Sequence, residues 1–324
     1  MKIRKLRSIN LWSRLKPFFQ IIRPVNLLII ALTAFLSWYA VIGSVLDYFS
    51  MSLHMSVQTV IIVIGSIVCI AAGGYVINDY FDVEIDKINK PEKPIIVGAL
   101  PRRRVWIIYI VLTVLGLILG FWASVTIGNY QIGMLHIVFA MALYFYSEQY
   151  KYIKFWGNFL ISISTAFVII TMWLFEFFAM IRDLEFLPPF ENQLMNTLVL
   201  GYAGFAFLST FARELIKDRQ DVTGDLKAGA RTLAVTMSEQ GFKSLVYIML
   251  LLNISFLIVA QLFLYQIKLV LLSWYVFVLE IILLYVAWLL NKARMQQDYA
   301  NISLYMKGYI VAGVLSMQIM SISW

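Results

Sequence analysis

The chain has 324 residues, 61% of them hydrophobic and 14% charged, with a net charge of +8 and a mean hydropathy of +0.82. Soluble domains are about 45–50% apolar and about 25% charged, so a single water-facing domain of this size is excluded. Disorder is excluded by the same figures. The lone Cys69 rules out an intrachain disulfide and cysteine-rich metal sites, and the distant His54 and His136 offer no histidine cluster. The composition is that of an integral membrane protein.

A membrane-crossing helix needs about 20 apolar residues to span a hydrocarbon core about 30 Å thick. The chain opens with a basic segment, 1–23, in which no compact apolar stretch leads to a small-residue cleavage site, so the first span reads as a retained anchor. Nine spans follow, at about 24–46, 57–77, 105–127, 131–147, 156–180, 194–212, 243–265, 269–290 and 307–323. The expected fold class is all-α and polytopic, one membrane domain over 24–324.

Of the 26 Lys and Arg, only Arg182 and Lys268 fall on one side of this layout, and the other 24 share the opposite side with the N-terminus. Basic residues are retained on the cytoplasmic face during insertion. The N-terminus is therefore expected in the cytoplasm and Trp324 outside, in the cell's inner (plasma) membrane. Positive charge here reads as topology and phosphate attraction rather than nucleic-acid binding, and no obligate protein partner is indicated. The two informative loops are both inner, after spans two and six. Their spacing, four spans apart, hints at an internal pseudo-repeat.

The first of these loops opens with Asn78, Asp79, Asp82 and Asp86. Asn78, Asp82 and Asp86 recur every four residues, and Asp79 joins the last two at i+3 and i+7, so a continuing helix would gather them on one face. The second carries Glu214, Asp218, Asp221 and Asp225 at i, i+4, i+7 and i+11, again one stripe. A solvated helix end, or ion pairing with Arg213, Lys217 and Arg219, is the alternative reading. Yet clustered carboxylates repel one another, and at a helix C-terminus they oppose the macrodipole unless a cation binds. Hard divalent cations take oxygen ligands, and Mg²⁺ shares its shell between one or two carboxylates and substrate phosphates. Two such stripes at one depth suggest Mg²⁺ bridging a diphosphate, with Lys93, Arg102–Arg104, Lys151, Lys227 and Arg231 at hand for the developing negative charge. Each of these cations alone also fits a topology charge or a snorkelling side chain.

Asn78-Asp79-x-x-Asp82-x-x-x-Asp86, with Asn89-Lys90-Pro91-x-Lys93-Pro94-Ile95-x-x-Gly98 after it, closely resembles the first signature of the UbiA-type intramembrane prenyltransferase superfamily. Glu214-x-x-x-Asp218-x-x-Asp221-x-x-x-Asp225, then Lys227-x-Gly229-x-Arg231-Thr232-Leu233, resembles the second. Arg23-Pro24-x-Asn26 and Lys151 with Gly157-Asn158 add supporting matches. The resemblance implies nine helices around a central cavity. A polyprenyl diphosphate would bind there through Mg²⁺, its tail leaving toward lipid. It implies metal and diphosphate roles for Asn78, Asp79, Asp82, Asp86, Glu214, Asp218, Asp221 and Asp225, catalytic above all for Asp82, Asp86, Asp221 and Asp225. Substrate contacts are implied for Asn26, Lys93, Lys151, Lys227 and Arg231. Lys93 departs from the arginine common there, keeping charge but losing a bidentate fork.

Ring faces attract cations, and Tyr75, Tyr144, Tyr146 and Phe205, among 50 aromatics, are expected at cavity depth for an allylic carbocation. Bundle packing or an interfacial belt would account for them equally. The two extended motifs most resemble the branch that transfers geranylgeranyl to the hydroxyl of geranylgeranylglyceryl phosphate, giving an ether lipid. Branches that prenylate hydroxybenzoate, homogentisate or dihydroxynaphthoate on ring carbon are the alternative. A cation transporter is the non-enzymatic rival, since intramembrane carboxylates often mark ion pathways. It would place its acids near the midplane, whereas here Glu176 and Glu280 alone lie clearly within spans.

Overall fold

The computed structural model describes residues 11–89 and 100–323. Lys93, Trp324 and residues 1–10 of the basic segment lie outside the described residues. Among the described residues, nine helical runs are long and apolar enough to cross a membrane. A short helix α1 (Leu11–Ile22) leads to α2 (Pro24–Leu36), which passes through a π-helical turn (Ser37–Ile42) into α3 (Gly43–Tyr48) as one span. The rest are α4 (Val57–Phe81), α5 (Val83–Asn89), α6 (Arg102–Thr126), α7 (Met134–Glu148), α8 (Trp156–Arg182), α9 (Pro189–Gln220), α10 (Val222–Lys227), α11 (Leu233–Thr236), α12 (Glu239–Gln266), α13 (Val270–Lys292) and α14 (Gln296–Met320). Starts follow local chemistry. Pro24 and Pro189 sit at first helical positions, where a missing N–H costs nothing. Ser56 Oγ accepts from Thr59 N (3.2 Å) to cap α4, and Ser238 Oγ accepts from Gly241 N (3.2 Å) to cap α12.

Two spans run well past the lengths read from hydropathy. The sixth, expected over 194–212, is the helix Pro189–Gln220, and the ninth, expected over 307–323, begins at Gln296. Their extra turns are polar, so a hydropathy window ends too early. Backbone hydrogen bonding and packing against neighbouring helices continue the helix regardless.

Lipid is as apolar as a helix side chain, so helices associate here by close packing and buried hydrogen bonds. The α4–α6 pair shows both. A Cβ at Gly116 would meet Ile70 Cγ1 at 2.6 Å and the Ser66 carbonyl oxygen at 3.1 Å, and Ser66 Oγ donates to the Gly116 carbonyl at 2.6 Å. The far face of α6 presents Ile107, Val111, Val114, Ile118, Trp122 and Val125, all exposed and at helical spacing, as a lipid-facing stripe.

The end opposite the two motifs is closed by a carboxylate. Glu176 of α8 is fully buried, accepts from the Trp38 indole at 2.8 Å and from Met55 N, and also accepts from His54 N. It thereby pins the α3–α4 loop onto α8. His54 meets Asp183 (3.1 Å) and Glu185 (3.2 Å), and Arg182 pairs with Asp183 (2.7 Å). Of the two intramembrane acids, Glu176 is thus a structural latch. Glu280 is buried in α13 away from the cavity, and its Oε1 finds no partner among the described residues.

Candidate active site

The two carboxylate stripes are not straight, and they bend in the same way. α4 stops at Phe81, and Asp82 (φ −83°, ψ 2°) turns the chain into α5. α9 stops at Gln220, and Asp221 (φ −95°, ψ 4°) turns it into α10. Four-residue backbone bonds survive each bend: Asp82 N to Asn78 O (2.9 Å), Asp86 N to Asp82 O (2.8 Å), Asp221 N to Lys217 O (3.0 Å) and Asp225 N to Asp221 O (3.2 Å). The acid spacing is kept while the terminal turn swings inward. As a result α5 and α10 pack on each other, and Asp225 comes within electrostatic reach of Asp221 and Asp82. The expectation of one flat face per motif gives way to two hooked ends that meet.

Each remaining acid has its own partner. Asp79, 4% exposed, pairs with Arg23 at 2.6 Å. Arg23 stands in the left-handed region (φ 54°, ψ 63°) just before Pro24, which costs a non-glycine residue about 1–2 kcal/mol. The Asp79 bond, with the Arg23 guanidinium 5.0 Å from the Tyr75 ring centroid, holds it there. Glu214 is shared by Arg213 (2.7 Å) and Lys217 (3.0 Å), and Asp218 accepts from the Asn158 amide at 2.8 Å. Among the described residues no three acidic, histidine or cysteine groups converge on one point. The arrangement is therefore paired oxygen donors across a gap rather than a closed protein cage.

Lys151 supplies the cation at that gap. Its Nζ donates to Asp82 Oδ1 at 2.6 Å and to Asn78 Oδ1 at 3.3 Å, while the Asn78 amide donates to Asp82 Oδ2 at 2.7 Å. The short turn Tyr150–Tyr152 can lie this low because position 157 is glycine: a Cβ there would meet the Lys151 Cα at 2.8 Å. Burial lowers the Lys151 pKa from the ordinary lysine value, against the opposing pull of Asp82. The Tyr152 hydroxyl is pushed up by burial and by Asp82, onto which it donates at 3.4 Å. Arg231 reaches this loop through its backbone, N–H to Tyr152 O at 2.8 Å. The Arg231 and Lys227 side chains are exposed at the rim.

Beneath the gap lies a cavity of about 280 Å³. Its polar end is lined by Arg23, Asn26, Tyr75, Asn78, Tyr146, Arg213, Glu214, Lys217 and Lys307, and its other walls mainly by aliphatic side chains, with Phe139, His136 and the hydroxyls of Ser164, Thr165 and Thr210. His136 is fully buried, and neither ring nitrogen has a partner among the described residues. Tyr75 and Tyr146 are at the cavity as expected. Tyr144 instead packs against Phe81 and Tyr109, and Phe205 against Tyr309. Lys307 and His136 line the cavity without belonging to either motif. A lysine at the start of an otherwise apolar run was the available signal for Lys307; nothing in the sequence marked His136.

With this geometry in hand, comparison with known proteins is informative. The UbiA prenyltransferase family matches residues 48–311. The digeranylgeranylglyceryl phosphate synthase of Methanosphaera stadtmanae is 31% identical over 304 residues, covering 93% of this chain and 97% of the relative. That of Sulfurisphaera tokodaii is 30% identical over 75% of this chain and 78% of its own length. A solved structure described for digeranylgeranylglyceryl phosphate synthase in membranes superposes with a TM-score of 0.66 at 23% identity, over 96% of this chain and all of the other. An Archaeoglobus fulgidus UbiA homolog bound to GPP and Mg²⁺ superposes with a TM-score of 0.60 at 14% identity, over 93% of this chain and 99% of its own. At those identities the two structures speak for the fold.

Proposed function

The chain belongs to the UbiA prenyltransferase family, and from that premise we propose that it transfers a geranylgeranyl group from its diphosphate to the hydroxyl of geranylgeranylglyceryl phosphate, forming an ether lipid. One observation carries the choice of acceptor: a relative named for that product is 31% identical across 97% of its length. The motif face is read as cytoplasmic, in the cell's inner membrane, from the distribution of Lys and Arg.

Asp82 and Asp86 on one hook and Asp221 and Asp225 on the other are the proposed holders of Mg²⁺. The donor set fits, because Mg²⁺ uses one or two carboxylates and leaves the rest of its shell to water and phosphate. The ion, when bound, would neutralise diphosphate charge. Lys151, whose Nζ rests on Asp82 Oδ1, would turn to donate to the departing diphosphate oxygen. Lys227 and Arg231 at the rim add attraction for the same anion. The bond from the allylic carbon to oxygen breaks with its electron pair leaving on the diphosphate. Tyr75 and Tyr146 line the cavity head, where ring faces favour the resulting cation. The aliphatic walls below accept the prenyl chain and exclude water. The glycerol oxygen forms the new bond, and its proton passes to the released diphosphate.

The test is direct competition between geranylgeranylglyceryl phosphate and hydroxybenzoate for labelled geranylgeranyl diphosphate, with products identified by mass spectrometry. The ether is the expected product. A prenylated ring with no ether would overturn the acceptor assignment and leave prenyl transfer intact.

A further inference from the structure

The head of the cavity holds more positive charge than its own carboxylates balance. Arg23, Arg213, Lys217 and Lys307 all line it. Asp79 neutralises Arg23 at 2.6 Å, and one carboxylate, Glu214, serves both Arg213 and Lys217. Lys307 has only a neutral partner, the Asn26 amide oxygen at 2.7 Å, although it is close enough to Arg213 for their like charges to oppose each other. The Arg213 Nε–H is buried and donates to nothing among the described residues. Among the described residues four cations thus meet two carboxylates within ion-pair distance, with Asp86 and Asp221 acting on Arg23 and Lys217 only at longer range, a local surplus of about two charges at the cavity's polar end that an anion would complete.

The depth of this charge separates it from the carboxylate gap. Arg213 precedes Asp221 by eight residues on one helix, about 12 Å along the axis at 1.5 Å per residue. Asn26 lies in the first turn of α2 and Lys307 about midway along α14, and their bond places the pair at the cavity head rather than at the two hooked ends.

We propose that Arg213, Lys307 and Asn26 form a seat for the phosphate monoester of the acceptor lipid, distinct from the diphosphate site; this rests on the acceptor reading given above. A phosphate monoester carries about −1.5 to −2 charge at pH 7 and three acceptor oxygens, matching the two surplus cations and the idle Nε–H. An aromatic carboxylate would balance only one of them. With the phosphate held at the cavity head, the glycerol hydroxyl is free to turn toward the gap where the allylic carbon is released. The donor diphosphate is the other source of the same chemistry, and the experiment separates the two.

Lys307→Gln, Arg213→Gln and the charge-retaining Lys307→Arg would be purified in lipid nanodiscs. Michaelis constants would be measured for each substrate, and thermal stabilisation by the phosphorylated acceptor with neither metal nor donor present. Both Gln variants should raise the acceptor KM at least about tenfold, the loss of one charge-assisted bond. They should leave the donor KM within about twofold and abolish the stabilisation, while Lys307→Arg retains both. Lys307→Gln keeps the bond to Asn26 and breaks no ion pair, so it isolates charge from folding. A rise in donor KM instead would assign the seat to the diphosphate and overturn the proposal. Unchanged constants in variants of an enzyme that still requires the acceptor phosphate would overturn the seat alone. A wild type that uses unphosphorylated geranylgeranylglycerol equally well would overturn the acceptor reading and the seat together.

Discussion

Replacing Lys151 with Met should lower stability and turnover while tightening metal binding. The ammonium sits 2.6 Å from Asp82 and its side chain is 9% exposed, against 17% for Asp82. Removing it leaves a carboxylate whose remaining nearby donors are the Asn78 amide (2.7 Å) and the Tyr152 hydroxyl (3.4 Å). Breaking a fully buried pair costs about 3–5 kcal/mol; this pair is partly exposed, so about 1–3 kcal/mol is the expected destabilisation. The unpaired Asp82 should then bind Mg²⁺ or Mn²⁺ more tightly in the absence of donor. Turnover should fall, because the leaving diphosphate loses a charge-assisted hydrogen bond of about 1.5–3 kcal/mol, or about tenfold to a hundredfold in kcat. The assays are thermal denaturation, metal titration by calorimetry, and initial rates at saturating donor. A variant with kcat within twofold of wild type, or with weaker metal binding, would refute the assignment of Lys151 as a cation alternating between Asp82 and diphosphate.

Asp82→Ala and Asp221→Ala should each abolish turnover while the protein still inserts and purifies as a folded bundle; a rate above about a tenth of wild type, a barrier change under about 1.4 kcal/mol, would sink the two-hook metal site. Chelation of divalent cations should stop the reaction, with recovery on adding Mg²⁺. Reporter fusions at Asn89 and at residue 324 should give opposite accessibilities, and the same side for both would contradict the orientation read from Lys and Arg. At the end opposite the two motifs, the Arg182 and His54 bonds hold Asp183 down to about 2 from the ordinary value of 3.8. Its folded-state pKa being the lower, its stabilisation is complete above 3.8 and disappears as pH falls toward 2. Melting curves of Asp183→Asn should therefore lie below wild type at neutral pH and converge with it in that acid window, and parallel curves throughout would remove Asp183 from the latch.

Much of this protein is written in one dimension. An excess of apolar residues in runs of about 20 dictates a polytopic helical bundle, because in lipid a helix satisfies its own backbone. Acid spacing along Asn78–Asp86 and Glu214–Asp225 marks the chemical centre, since helical periodicity places such residues together whatever the rest of the chain does. Only the tertiary structure decided how the two marked segments are used. The bends at Asp82 and Asp221 depend on α5 and α10 packing against each other, a contact between residues some 140 positions apart that no local pattern encodes. The same holds for partners. Asp79 finds Arg23 and Asp218 finds Asn158 across the fold, and Asp82 finds Lys151, whereas Glu214 takes Arg213 and Lys217 from its own helix, the one pairing the sequence could suggest. Lys307 carried no motif at all. It becomes part of the site because α14 packs beside α2 and α9 and brings its ammonium to Asn26 and to the cavity head. Charge balance is a property of neighbours in space, and neighbours are assigned by packing.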